Sequence, residues 1–171
     1  MSRQSLAIEQ YRQKVGKKLG VSKWLTVTQE MIDGFARVTL DPDPMHIDPE
    51  WCKEHSPFGV PIAFGFLTVS LLTCMLREAL EFASHSDVAE SYGLNYGIDK
   101  LRMVAPVRVG SRIRGHFTLG SLVERKPGEH IQSVDVVVEI EGQDKPALVA
   151  TWLAILVDKT GHERLTSQDK P

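Results

Sequence analysis

Cysteine, long apolar runs and targeting signals are scarce or missing in this sequence of 171 residues. It has two cysteines, Cys52 and Cys74, and they do not form a CxxC pair. We therefore expect neither a zinc motif nor a disulfide framework, and a reducing cytoplasm suits two free thiols. No run of about 18 apolar residues occurs, so no membrane-spanning helix is expected. Residues 1–20 are polar, so we expect no signal sequence.

The sequence also lacks an excess of charge of one sign. Its formal net charge is −2, from 20 basic and 22 acidic side chains, and no basic run stands out, so nucleic-acid binding is not expected. The 42% hydrophobic and 25% charged fractions are typical of a globular protein. Without a repeat or a long linker, residues 1–171 are predicted to form one domain, with a core at about 17–157 and a polar tail at 158–171.

The first third of the sequence favours short helices. Residues 7–14 predict an amphipathic helix, and residues 24–27 predict a short strand. Thr28 is typical of a helix N-cap, and the apolar spacing after it predicts a helix that ends before Asp41. Asp48, which precedes a proline, predicts the N-cap of a further helix.

A long apolar segment and several strands follow. Residues 62–80 predict one long helix that is buried on most faces. Segments rich in β-branched residues then predict strands at 94–104, 112–123, 131–140 and 147–157. Because each face of a sheet needs an apolar partner, this order predicts an α+β fold, with a curved antiparallel sheet wrapped around a long central helix.

The most informative segment is residues 41–46, with the sequence DPDPMH. Side chains five residues apart lie about 140° apart around a helix and on opposite faces of a strand. Pro42 and Pro44 also disfavour the α conformation for the residues before them. We therefore expect a non-helical, irregular turn that brings Asp41 and His46 together. A carboxylate and an imidazole that converge can bind and deprotonate water, which indicates acid–base chemistry on a small substrate.

Other interpretations of this segment stay open from the residues alone. Asp-Pro turns are common at protein surfaces, where Asp41 would cap and His46 would be solvated. Asp43 and Asp48 are expected to be turn and cap residues rather than bases. A metal site made of Asp41, His46 and Asp48 lacks a distinct ligand spacing, so no metal is predicted.

Two further motifs lie downstream of the DPDPMH segment. Residues 61–68 read PIAFGFLT, and residues 96–111 read YGIDKLRMVAPVRVGS. In this order the three motifs resemble the MaoC-like, or R-specific enoyl-CoA hydratase, family of hot-dog folds. The third motif is especially similar to the branch that includes nodulation protein N. The resemblance covers roughly residues 17–157.

The resemblance implies a catalytic role for three residues. Asp41 and His46 would bind the water that adds to C3 of a trans-2-enoyl thioester. The backbone N–H of Gly65, at the start of a helix, would polarise the thioester carbonyl. Thr73 would supply a hydroxyl that supports Asp41, as a hydroxyl does in some members of the family. Phe64 would lie beside the Gly65 N–H and contact the substrate.

The resemblance also implies partners. Coenzyme A would be the handle of the substrate, and no metal or redox cofactor would be needed. Lys100 and Arg102 could bind its phosphates, as could Arg112 and Arg114, although strand residues that face solvent are the ordinary explanation. A homodimer formed through the strands and adjacent helices is expected, in the cytoplasm and in fatty acid metabolism.

The implied activity is reversible hydration of trans-2-enoyl-CoA to (R)-3-hydroxyacyl-CoA. Three positions depart from the usual hydratase pattern, in which glycine, asparagine and histidine stand where this chain has Leu40, Asp43 and Phe64. Two alternatives therefore stay open. One is an acyl-CoA thioesterase on the same fold, and the other is a non-catalytic module that binds acyl-CoA.

Overall fold

The computed structural model describes residues 3–80, 92–157 and 163, with side chains from residue 8 onward. Its helices are α1 (Arg3–Arg12), α2 (Gln29–Thr39), α3 (Pro44–Ile47), α4 (Pro49–His55), α5 (Gly65–Ser70) and α6 (Leu72–Ala79). Its strands are β1 (Lys18–Val21), β2 (Leu25–Thr26), β3 (Tyr92–Met103), β4 (Arg112–Lys126), β5 (Glu129–Ile140) and β6 (Leu148–Val157). Across these ranges, no helix is long and apolar enough to cross a membrane.

The strands form one antiparallel sheet in the order β1-β4-β5-β6-β3, and β2 also pairs with β4. Along β4 the side chains alternate between the core and the outer face, as strand geometry requires. Ile113, Phe117 and Leu119 are completely buried between the sheet and the helices. The opposite side of the core comes from α2, α5 and α6, through Ile32, Leu67, Leu72 and Met75. The predicted α+β arrangement is confirmed.

The predicted helix caps are confirmed. Thr28 accepts a hydrogen bond from the Met31 N–H at 3.3 Å, and α2 ends at Thr39. Asp48 accepts one from the Trp51 N–H at 2.9 Å, at the start of α4. Each cap satisfies a donor that the first turn of a helix leaves without an intrahelical partner.

The predicted single helix over residues 62–80 is wrong at its start. The Ala63 N–H donates to the Val107 carbonyl at 2.7 Å, and Ile62 forms an isolated bridge with Arg108. This pairing keeps the chain extended up to Phe64, whose φ and ψ are −57° and 136°. The helix therefore begins at Gly65, three residues later than predicted.

The same prediction is also wrong in its middle, because the segment divides into α5 and α6 at Leu71. The Ser70 hydroxyl donates to the Phe66 carbonyl, four residues back, at 2.8 Å. Such a bond from serine to the i−4 carbonyl bends helices, which accounts for a break at this point. The centre of the fold is thus two short helices.

Other elements differ from their predicted limits. The first helix spans Arg3–Arg12 rather than residues 7–14, and β1 was not predicted. The Tyr11 hydroxyl donates to Gln132 Oε1 at 2.8 Å, which anchors the end of α1 on β5, and burial raises the pKa of Tyr11 to about 12. The tail at 158–171 lies outside the described residues except for Glu163, and the predicted domain limits stay a prediction.

Candidate active site

The corner between α2 and α3 is built around Leu40 and Asp41. Leu40 caps the C-terminus of α2 in the left-handed conformation, with φ 57° and ψ 36°. The Asp41 N–H donates to the Ala36 carbonyl at 3.1 Å, which closes the last turn of the helix. Asp41 Oδ1 in turn accepts from the Asp43 N–H at 3.3 Å. This turn holds the exposed Asp41 carboxylate at the corner.

Leu40 occupies a conformation that favours glycine. In this conformation a residue with a Cβ raises the free energy of the folded state by about 1–2 kcal/mol relative to glycine. Part of this difference is offset because glycine loses more backbone entropy on folding. Because Leu40 is 87% exposed, its replacement removes little packing. We expect Leu40→Gly to raise the free energy of unfolding by up to about 1 kcal/mol, measured by urea denaturation. Val38→Gly, inside α2 and also exposed, should lower it by a few tenths of a kcal/mol. A lower free energy of unfolding for Leu40→Gly than for the wild type would contradict this prediction.

The prediction of a non-helical turn over residues 41–46 is wrong for its second half. Asp43 Oδ1 accepts from the Met45 N–H at 2.9 Å and caps α3, in which Pro44 is the first residue. Proline fits the first helical position because its missing N–H would have no acceptor there. Asp43 is therefore a cap, as predicted, and His46 projects from one helical turn.

His46 is held on three sides. Its Nδ1 lies 2.7 Å from the Ile62 carbonyl oxygen, so Nδ1–H is the donor and Nε2 is left as the basic nitrogen in the neutral ring. The ring centroid lies 3.8 Å from that of Phe64, at an interplanar angle of 34°. The Gln29 side-chain amide donates to the His46 carbonyl at 2.9 Å and to Asp33 at 2.8 Å. The orientation of the imidazole is thus fixed.

Asp41 and His46 lie on adjacent elements of the same corner. Within the described part of the chain, no hydrogen bond or ion pair joins the two side chains. A water molecule that both groups bind requires them to be further apart than a direct hydrogen bond. Their shared role in binding water stays a prediction.

Gly65 is the first residue of α5, so its N–H has no intrahelical acceptor. Phe64, the N-cap, supplies no side-chain hydrogen bond to this turn. A Cβ at position 65 would lie 3.1–3.2 Å from the Cε, Cγ and Sδ atoms of Met103, which is tighter than ordinary van der Waals contact. A side chain at this position would therefore displace the Met103 thioether by a few tenths of an ångström. Since the Phe64 ring packs against His46, the imidazole lies next to the N-terminus of α5.

Phe64 is part of the core. It is 6% exposed, and its ring lies between His46 and Phe35, whose centroid is 5.3 Å away. Phe64 therefore supports the imidazole directly, and contact with a substrate stays a prediction.

Thr73 lies further along the central helices and faces a cavity. The cavity, of about 350 Å³, is bounded by α5 and α6 on one side and by β3 and Trp152 on the other. In the ranges that the structure covers, no hydrogen bond links Thr73 to Asp41, whose carboxylate accepts from the Asp43 N–H. Support of Asp41 by Thr73 stays a prediction.

Lys100 and Arg102 are exposed on β3, the outermost strand at one side of the sheet. Lys100 has φ 54° and lies in an irregularity of the pairing with β6. The Arg102 guanidinium donates to the Leu101 carbonyl at 2.8 Å. A role for Lys100 and Arg102 in binding phosphates stays a prediction.

Arg112 and Arg114 have structural partners on the outer face of the sheet. Arg112 pairs with Glu141 at 2.8 Å, and Arg114 pairs with Glu139 at 2.6 Å. The Arg114 guanidinium lies 4.3 Å from the centre of the Trp24 ring. The hydrogen bond from Arg114, with one from His116, lowers the pKa of Glu139. These contacts favour the ordinary explanation for both arginines.

Several residues of the corner were not predicted from the sequence. Gln29 and Met103 contact His46 and Gly65 across long sequence separations, and a single sequence gives no local signal for such contacts. Cys52 lies beneath α3, with Sγ 3.3 Å from the Met45 carbonyl oxygen, and burial raises the pKa of its thiol. Among the residues described, no group of three His, Cys, Asp or Glu side chains could hold a metal ion.

The comparison with protein families decides the identity of this fold. The family model of the MaoC like domain matches residues 10–142, most of the chain. The chain belongs to the MaoC-like dehydratase family. The predicted family and the hot-dog fold are therefore confirmed, and membership in this family makes the protein a hydro-lyase.

Relatives place this MaoC-like chain more finely. It is 41% identical over 152 residues to nodulation protein N of Rhizobium leguminosarum bv. viciae, and the aligned region covers 88% of this chain and 91% of that protein. It is 39% identical over 135 residues to 3-hydroxyacyl-thioester dehydratase Z of Mycobacterium tuberculosis (79% of this chain, 85% of that protein). The (R)-hydratase from A. caviae involved in PHA biosynthesis has the same fold, with a TM-score of 0.64 at 23% identity, over 82% of this chain and 94% of that one. The predicted nodulation protein N-like branch is confirmed.

Proposed function

We propose that this MaoC-like protein adds water reversibly to a trans-2-enoyl-CoA and forms the (R)-3-hydroxyacyl-CoA. The observation that carries the proposal is the fixed His46 imidazole, with Nδ1–H bonded to the Ile62 carbonyl and the ring packed against that of Phe64, the residue before Gly65. In this arrangement His46 would act as a base beside a helix N-terminus, which favours a developing negative charge. A relative named as a 3-hydroxyacyl-thioester dehydratase supports the same substrate class.

In the proposed mechanism, Asp41 and His46 bind one water molecule. His46 Nε2 accepts a proton from the water as its oxygen forms a bond to C3. The π electrons of the C2–C3 bond move toward the thioester carbonyl, whose oxygen is stabilised by the Gly65 N–H. Transfer of this proton from His46 to C2 completes the addition and returns the imidazole to its neutral form. The reverse reaction removes water from the 3-hydroxyacyl thioester. Neither direction changes the overall oxidation level of the acyl group, so no redox partner is needed.

The proposed substrate position follows from the same residues. With the thioester oxygen at Gly65, the acyl chain would extend along α5 toward the cavity that Thr73 lines. The coenzyme A phosphates would meet Lys100 and Arg102 at the exposed edge of β3. The two cysteines in the described residues are free thiols, which suits the cytoplasmic location that we propose.

We also propose that two copies pair through β3. This strand lies at one edge of the sheet, and Leu94 and Tyr96 are 48% and 53% exposed there. An exposed, apolar edge strand is a template for pairing with another chain. Sedimentation equilibrium should give twice the chain mass of 19.1 kDa. Leu94→Lys with Tyr96→Lys should shift the protein to monomer, whereas Val123→Lys on β4 should not. A monomeric wild type would contradict the proposal.

Hydration of enoyl-CoA substrates of short, medium and long chain tests the proposed activity. Loss of the absorbance of the conjugated thioester reports hydration, and a disulfide reagent reports any free coenzyme A thiol. We expect loss of conjugation without thiol release. Thiol release would indicate the thioesterase alternative instead, and binding of acyl-CoA without turnover at any length would indicate the non-catalytic module.

A further inference from the structure

Met103 lies directly against the residue that would bind the thioester oxygen. Three of its side-chain atoms lie 3.1–3.2 Å from the position that a Gly65 Cβ would take. Met103 is nevertheless 45% exposed, so one side of the thioether packs on α5 and the other faces open space. The Met103 side chain therefore borders the space around Gly65.

The backbone of Met103 is fixed, although its side chain is flexible. Met103 is the last residue of β3 and pairs with Leu148 on β6. The next N–H, that of Val104, donates to the Ala147 carbonyl at 2.8 Å. A methionine on such a backbone keeps its Cβ in place and presents an unbranched apolar thioether beside Gly65.

The Gly65–Met103 contact lies at one end of a seam between the central helices and β3. Along the helices the seam runs from Gly65 to Val69 and Thr73, and along β3 it runs back from Met103 to Ile98. Val69, Thr73 and Ile98 line the cavity of about 350 Å³. An acyl chain that follows this seam from the carbonyl toward the cavity passes Met103 with its first carbons.

We propose that Met103 is a specificity-determining residue that excludes substrates with a branch at C2. C2 is bonded to the carbonyl carbon, so it is the first chain atom to pass the wall that Met103 forms. A methyl group at C2 needs space that the thioether occupies. This inference rests on the proposed hydration of enoyl thioesters and adds the position at which the acyl chain is selected.

Two substrates that differ by one methyl group test the inference. Crotonyl-CoA is unbranched, and trans-2-methyl-2-butenoyl-CoA carries a methyl at C2. The ratio of kcat/KM for the branched to the unbranched thioester is compared between variants, so that the intrinsic reactivity of each substrate cancels. Since one methylene group in a hydrophobic pocket changes kcat/KM by about 10–200-fold, we expect Met103→Ala to raise the ratio about tenfold.

A graded series and a control make the result specific. Met103→Val removes less of the wall than Met103→Ala and should raise the ratio by less, whereas Met103→Leu, of similar volume, should leave it within about twofold. Val123→Ala, exposed on β4, should also leave it unchanged. Thermal unfolding checks that each variant folds. Where Met103→Ala does not fold, the ratio for Met103→Val decides.

The possible outcomes separate this inference from the proposed function. A wild type that hydrates crotonyl-CoA, with the same ratio in every Met103 variant that folds, overturns the role of Met103 and leaves the function in place. Where the wild type hydrates only longer enoyl-CoA substrates, the ratio is measured with those and their 2-methyl analogues. A wild type that hydrates no enoyl-CoA of any length overturns the proposed function, and the role of Met103 falls with it. A ratio that increases as side-chain volume at position 103 decreases supports both.

Discussion

Asp41→Asn and His46→Ala are each expected to lower kcat/KM for the hydration of crotonyl-CoA by at least about a hundredfold. Asparagine keeps the size of Asp41 but lacks the negative charge that would hold the water and stabilise the protonated His46 ring. Alanine removes Nε2, the basic nitrogen that the hydrogen bond between Nδ1 and Ile62 leaves available. Steady-state kinetics on folded variants measure the effect. Each variant should lower kcat more than it raises KM, because the lost interaction acts in the transition state.

The chain offers a matched control for each substitution. Asp43→Asn makes the same chemical change two residues from Asp41, and asparagine caps a helix as well as aspartate, so α3 should persist. His55→Ala removes an exposed histidine whose Nδ1 also donates to a backbone carbonyl, that of Trp51, at 3.2 Å. Both controls should stay within about threefold of wild type. If Asp41→Asn and His46→Ala did the same, the catalytic assignment would be wrong.

Phe64→Ala is expected to lower the free energy of unfolding by about 3–5 kcal/mol, the usual cost of removing a buried phenylalanine. The ring is 6% exposed and packs between Phe35 and His46. Its loss leaves a cavity beside the His46 imidazole, so the rate of hydration per folded molecule should also be lower than in the wild type. Urea denaturation measures the stability, and kinetics at low temperature measure the activity.

Phe66→Ala is the matched control for this effect. It is the same substitution two residues along, but Phe66 is 69% exposed, so its truncation removes few contacts. We expect its free energy of unfolding to stay within about 0.5 kcal/mol of wild type. Equal losses for the two variants would show that Phe64 has no special packing role beside His46.

Local signals in the sequence were sufficient for part of the fold. The caps at Thr28 and Asp48 were predicted because each places a side-chain acceptor before a helical pattern. The four long strands were predicted because β-branched residues mark them, and only their ends shifted. The segment from Lys18 to Val21 was missed, because four residues with so little apolar alternation give no strand signal alone.

Errors at the site came from competing local rules and from contacts distant in sequence. Pro44 disfavours helix for the residue before it, yet it begins α3, since proline is favourable at the first helical position. The bond from Ser70 to a backbone carbonyl interrupts a segment whose composition favours one helix. The contact of Met103 with Gly65 joins positions that no local pattern relates.

Hydration of crotonyl-CoA in water labelled with heavy oxygen, followed by mass and chiral analysis of the product, tests the proposed reaction directly. We expect (R)-3-hydroxybutyryl-CoA with one labelled oxygen at C3 and an intact thioester, and no such product from His46→Ala. Label in a free carboxylate, or equal product from His46→Ala, would contradict it.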